Sequence, residues 1–112
     1  MTMEPARLER KKAVEMNELF RMFVDDMKLG PALNTHRIFK AWEQASGAAQ
    51  FTLKKFFRDG TLYITTSSSV VRNQLFFQSA ELVDKMNAIL EQDELFLKDE
   101  PKVGYVKKLV LK

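Results

Sequence analysis

"LKKFFRDGTLYI", residues 53–64, decides the fold. Asp59-Gly60 is the signal for a two-residue type I′ turn, whose backbone twist matches that of two antiparallel strands. The flanking runs, 51–58 and 61–66, are rich in aromatic and β-branched residues, so the stretch is predicted to be a β-hairpin. A two-residue loop fixes the register: Arg58 opposes Thr61, Phe57 opposes Leu62 and Phe56 opposes Tyr63. Side chains alternate along each strand. One face therefore carries Leu53, Phe57, Leu62 and Ile64, and reads as core. The other carries Lys54, Phe56, Arg58, Thr61, Tyr63 and Thr65. Two readings of that second face stand side by side. Aromatic rings among cations form a base-stacking platform, worth about 1–3 kcal/mol per base. Alternatively, Phe56 and Tyr63 are a cross-strand pair that stabilises the hairpin by roughly 0.2–1 kcal/mol.

Upstream, apolar periodicity predicts two helices. Met16, Leu19, Phe20, Phe23, Val24 and Met27 recur at spacings of three and four over residues 13–28. Gly30-Pro31 is the expected stop, and Asn34 or Thr35 the expected cap of a second helix. Ile38, Phe39, Trp42 and Ala45 form the inner face of that helix, and Gly47 ends it. Trp42 reads as core or helix–sheet packing, with a partner contact as the alternative. Downstream, one of Ser67, Ser68 or Ser69 caps a third helix whose stripe is Val71, Leu75, Leu82, Met86, Ile89 and Leu90. Ser79 is the expected break within it. Phe76 and Phe77 cannot both lie on that stripe, so one of them is a candidate partner contact, unless the helix is buried on two sides. An acidic loop spans 91–100. Residues 105–112 read as a last strand with Leu109 and Leu111 inward and Lys108, Val110 and Lys112 outward. This strand can join either edge of the hairpin, in either direction. The order predicts an α+β domain, a three-stranded sheet with helices on one face.

The chain has 112 residues, which bounds it to one domain, here expected over 13–112 after a frayed segment at 1–12. It has no cysteine, which excludes thiol catalysis and cysteine-ligated zinc. The single histidine, His36, has no triad partners, and neither GxxxxGK[ST] nor GxGxxG occurs. Asp25-Asp26 reads as a solvated turn rather than a metal site. The expectation is a protein that is not an enzyme and takes no cofactor. The start MTMEPARLERKK has no apolar stretch behind its charges, and no run is long enough to span a bilayer, so a cytoplasmic protein with no membrane partner is expected. The net charge is only +3, but its distribution is uneven. Arg7, Arg10, Lys11 and Lys12 crowd the start. Lys54, Lys55 and Arg58 crowd the middle, and Lys107, Lys108 and Lys112 the end. Acids concentrate at 91–100.

Several short motifs carry a resemblance. They are Trp42-x4-Gly47, then Thr52, then "RDGTLYITTSSS" at 58–69, Leu75, "SAELVDKMNAIL" at 79–90 and "VKKLVLK" at 106–112. Together they resemble the DciA family over about residues 33–112. The matching positions are Trp42, Gly47, Asp59, Gly60, Leu62, Ile64, Leu75, Leu82 and Asn87. The resemblance implies a KH-like α+β domain, DNA binding, and assistance to loading of the bacterial replicative helicase, DnaB. It supplies no catalytic residue. The GxxG loop with which true KH domains clamp a nucleic-acid backbone is absent. Binding is therefore expected to be sequence-independent and to come from a basic face, on single- or double-stranded DNA. Lys54, Lys55, Arg58, Lys107, Lys108 and Lys112 are the candidate phosphate contacts, with Arg72 and the N-terminal cluster as lesser ones. Phe56 and Tyr63 are the candidate stacking rings. Lys55 has the inner parity and reaches this face only from the sheet's rim. An RNA-binding module and a protein-interaction or oligomerisation domain, the latter suggested by nine phenylalanines, are the alternatives.

Overall fold

The structure is a computed structural model, and it describes residues 18–24 and 26–112. The chain divides into two compact units, Met1–Gly30 and Pro31–Lys112. Met16, Asp25 and the N-terminal basic cluster lie outside the described residues.

In the first unit, the helical residues 18–24 and 26 form α1. The Leu29 N–H donates to the Val24 carbonyl at 2.9 Å, and Lys28 sits at φ 57°. A left-handed residue after the last turn is how a helix commonly closes its free carbonyls. Lys28, not glycine, thus supplies the stop. Val24 is buried, while Leu19, Met22, Phe23 and Met27 of the expected stripe and its flank are exposed.

Gly30 and Pro31 do not act as a stop. They open α2, Gly30–Ser46, against the expectation that this helix starts at Asn34 or Thr35. Proline suits a first helical turn because its missing N–H would have no intrahelical acceptor there and its φ is already helical. Asn34 is instead inside the helix, fully buried, and Thr35 donates its hydroxyl back to the Pro31 carbonyl at 2.8 Å. Gly47, at φ 63°, ends α2 as expected.

A short 3-10 turn, Ala49–Phe51, leads into the hairpin of β1, Thr52–Arg58, and β2, Thr61–Thr66. Asp59 and Gly60 have φ of 52° and 80°, the left-handed pair that a type I′ turn demands. The register is the one fixed by the loop: Arg58 opposite Thr61, Phe57 opposite Leu62, Phe56 opposite Tyr63. It slips between Thr52 and Lys54. Leu53 is the extra residue of this bulge and is 64% exposed, so it leaves the inner face to which alternation assigned it.

Ser68 caps α3, Ser69–Phe77, by accepting from the Val71 N–H at 3.3 Å. The helix then breaks at Gln78, and α4 runs over Ser79–Glu91. Ser79 marks the break but does not cap α4; its hydroxyl donates back to the Phe76 carbonyl. After a loop, β3, Lys108–Leu111, pairs with β2 in parallel, giving the sheet order β1-β2-β3. A parallel partner requires a long crossover, which α3 and α4 supply.

All helices that pack on the sheet do so from the face of Phe57, Leu62 and Ile64. Leu62 and Ile64 are wholly buried, together with Ile38, Trp42, Met86 and Leu90. Phe57, Leu109 and Leu111 border the same core. Phe96 of the acidic loop joins this core, and Leu97 beside it in sequence is also buried. Asparagines fix the loop's course. Asn87 on α4 exchanges two hydrogen bonds with the Val106 backbone, at 2.8 and 2.9 Å, which sets the chain before β3. The result is the α+β class read from the sequence, a three-stranded mixed sheet with helices on one side, consistent with a small KH-like fold.

Candidate nucleic-acid interface

The face of the sheet turned away from the helices is built by parity alone. On β1 it carries Lys54, Phe56 and Arg58, on β2 Thr61, Tyr63 and Thr65, and on β3 Lys108 and Val110, with Lys112 next in phase. The pairing aligns these residues in rows. Phe56, Tyr63 and Val110 form the middle row, while Arg58, Thr61 and Lys108 form the row nearest the turn. Lys54 and Thr65 form the row at the far end. Same-face residues recur about every 6.6 Å along a strand, and strands lie about 4.8 Å apart. The platform therefore measures about 13 Å by 10 Å.

Phe56 is 56% exposed although it lies within β1. Its ring centre lies 5.9 Å from that of Tyr63, with the planes 39° apart. Lys112 Nζ stands 5.5 Å from the Tyr63 ring centre, a cation–π contact across the β2–β3 boundary. The cross-strand pair is present, and the exposure of Phe56 leaves a ring surface open.

Cations stand at both ends of this aromatic row. Arg58 is exposed, and its contact with Asp59, 3.6 Å between two solvated side chains, has little energetic weight. Lys108 lies across Thr61 from it. The Lys107 and Lys108 N–H groups both donate to the Gly60 carbonyl, at 2.7 and 3.2 Å. The alkyl stem of Lys107 packs over Gly60, where an added Cβ would come within 3.0 Å of its Cδ. Gly60 is needed for its φ, and an added Cβ would also displace the Lys107 stem. Lys54 and Lys112 occupy the opposite end. Four of these cations, Lys54, Arg58, Lys108 and Lys112, thus share the outward side of the sheet, while Lys107, of the opposite parity, stands beside the turn.

Not every candidate joins them. Lys55, of inner parity, turns towards α2, where its Nζ lies 3.1 Å from Glu43 and 5.6 Å from the centre of the Phe39 ring. The Glu43 carboxyl is held below its ordinary value by the hydrogen bond from Lys55, against a smaller opposing effect of burial. Arg72, half-buried on α3, belongs to the helix layer. Trp42 is 0% exposed and donates its indole N–H to Thr52 Oγ1 at 3.1 Å, so it is core, as first read, and the alternative of a partner contact is corrected. The opposite holds for the other two partner candidates. Phe76 and Phe77 are both exposed, Phe77 at 86%, with rings edge to face at 5.9 Å. The break at Gln78 puts them at a corner between two helices, where neither packs inward.

Val110, the centre of the third strand's outward face, is the platform residue that sequence reasoning did not single out. Its parity was legible, but its alignment with Tyr63 depends on which edge β3 joins. Away from the platform, a groove of about 480 Å³ between α2 and α4 is lined by Arg37, Gln44, Ala88, Ile89, Gln92 and Asp93. Arg37 Nε is bound to Asp93 at 2.7 Å across it, which leaves the groove without a free charge of either sign on those two groups. Among the described residues no cluster of histidines and carboxylates has the makings of a metal site, and no buried side-chain polar atom lacks a partner. No described helix is long and apolar enough to cross a membrane.

Comparison with known proteins adds one relationship. The family described as "Dna[CI] antecedent, DciA" matches residues 15–95. No curated protein and no solved structure matches significantly.

Proposed function

The chain belongs to the DciA family, and from that premise we propose that it is a non-enzymatic nucleic-acid-binding protein that supports loading of the replicative helicase, DnaB. The family's association with helicase loading supplies the process. The observation that carries the binding step is the outward sheet face: Phe56 exposed beside Tyr63, with Lys54, Arg58, Lys108 and Lys112 on the same face and Lys107 beside the turn.

The chemistry follows from the parts. The cations hold phosphates and read no sequence. An exposed ring gains contact only with a base that is not already stacked in a duplex, so unpaired nucleotides are the ligands that use the whole face. With no second clamp, affinity falls in the non-specific range, roughly 0.1 mM to 1 μM at moderate salt. The base-tolerant face accepts RNA as well as DNA, and competition between matched strands ranks the two. Helicase contact is assigned to the corner at Phe76 and Phe77, whose exposed edge-to-face rings are typical of interface anchors.

The test is binding of a fluorescent single-stranded oligonucleotide across a salt series. With five phosphate contacts, the logarithm of affinity should fall against the logarithm of salt with a slope of about −3.5. Lys54→Ala with Lys108→Ala should lower that slope by about 1.4. A flat response, or a double variant indistinguishable from the parent, overturns the binding reading. Phe76→Ala with Phe77→Ala should abolish co-purification with the helicase and leave oligonucleotide binding intact.

A further inference from the structure

The sheet ends at β3 with an unused side. In a parallel ladder the backbone groups of alternate residues turn to the same neighbour. The Lys108 and Lys112 N–H groups donate to the Gly60 and Ile64 carbonyls of the β2 segment, and the Lys112 carbonyl accepts from the Thr66 N–H. Lys108, Val110 and Lys112 therefore face β2. Leu109 and Leu111 turn their N–H and C=O groups the other way, and β3 is the last strand of the sheet. Among the described residues, no hydrogen bond across that edge reaches either leucine. Burial points to the same gap. In the row Leu62–Leu109 the first residue is wholly buried and the second only half, and the row Ile64–Leu111 repeats this. The helix-facing apolar layer runs out at β3 before it is covered.

We propose that this edge is a docking strand for an extended segment of a partner protein in which apolar and acidic residues alternate. The free backbone groups of Leu109 and Leu111 would continue the ladder into that segment, as in β-strand addition. Its residues in register with the two leucines would lie on the helix side and extend the apolar layer. Its residues in register with Lys108, Val110 and Lys112 would lie on the outward side, beside the exposed ammonium group of Lys108 and the stem of Lys112, where carboxylates fit. Lysines on an edge strand also hold identical edges apart. Here they make a second copy of β3 the wrong occupant and an acidic strand the right one. The proposal does not rest on the nucleic-acid reading: both use the lysine side chains of this strand, but only docking uses the backbone groups of Leu109 and Leu111.

The experiment measures anisotropy of a labelled, end-capped decapeptide of five Asp-Val repeats with the full chain, beside its Lys-Val counterpart. The acidic peptide should bind at least about tenfold tighter. Lys108→Glu with Lys112→Glu should invert that preference. N-methylation is then placed on either the valines or the aspartates, since only one alternate set of N–H groups faces β3. One set should weaken binding at least about tenfold and the other less than about twofold. Absence of saturable binding, equal affinity for the two peptides, or equal effects of the two methylation patterns overturns the proposal.

Discussion

Asn34 and Leu97, 63 residues apart, exchange a pair of hydrogen bonds: the Leu97 N–H donates to Asn34 Oδ1 and Asn34 Nδ2 donates to the Leu97 carbonyl, each at 2.8 Å. The same Nδ2 donates to the Val103 carbonyl at 2.7 Å. One buried amide thus satisfies three backbone groups of the loop that joins α4 to β3. Asn34→Ala strands those groups in the interior, where each unsatisfied one costs about 1–3 kcal/mol unless water reaches it. The expected loss is about 3 kcal/mol, read by urea denaturation. Asn34→Asp should fall close behind, since a carboxylate cannot donate. A loss under about 1 kcal/mol would show that the loop finds other partners.

Phe56→Ala separates the two roles of the outward pair. Phe56 is mostly exposed, so its removal should cost under about 1 kcal/mol of stability. The same change should weaken binding to a single-stranded oligonucleotide by about 5- to 100-fold. Phe57, one residue away, faces the core, and Phe57→Ala should do the reverse: a loss of about 2–3 kcal/mol in stability with little change in affinity for the fraction that folds. Paired melts and titrations of the two variants check this.

Lys55→Ala tests where the binding face ends. Because Lys55 lies on the helix side and is engaged by Glu43, its loss should leave oligonucleotide affinity within about twofold and the salt slope unchanged. Its loss should also move the Glu43 carboxyl back up towards its ordinary value, because Lys55 is the main cause of its lowering. NMR titration of the Glu43 side chain reads the second effect independently of the first.

Glu91 accepts hydrogen bonds from Tyr105 and Lys98. The Tyr105 phenol is the leading cause that holds the Glu91 carboxyl below its ordinary value, and Glu91 in turn pushes the phenol up. A depressed carboxyl favours the folded state above its unfolded pKa and loses that contribution as pH falls through the folded value. A raised phenol favours it below the phenol's unfolded pKa and loses it as pH rises through the folded value. Tyr105→Phe should therefore return the Glu91 titration towards the ordinary range, with the remaining downward shift due to Lys98. It should also flatten the acid side of the stability profile. A Glu91 titration unchanged in Tyr105→Phe would show that the phenol is not its partner in solution.

Asp59 and Gly60 settled the hairpin by themselves. A two-residue turn admits one register, and one register assigns every side chain of β1 and β2 to a face, so the Phe56–Tyr63 pair was legible before any coordinates. The exception, Leu53, lies where the ladder slips, and nothing in the residue type announces a bulge. Capping chemistry was legible at Gly47, and at the start of α3 to within the three serines 67–69, for the same reason: it acts over three or four residues. At Gly30-Pro31 the same chemistry was ambiguous, because proline ends one helix and opens another equally well. What lay beyond the sequence was every decision made between distant segments. The edge that β3 joins, and its direction, depend on the α3–α4 crossover and on the Asn87 bonds to Val106. Only that choice brings Lys108 and Lys112 beside Tyr63. The withdrawal of Lys55 into a pair with Glu43 and the clamp at Asn34 are of the same kind. Alternation and turn geometry are properties of neighbouring peptide units, whereas convergence of charges from separate strands exists only once burial of the core has fixed which strands are adjacent.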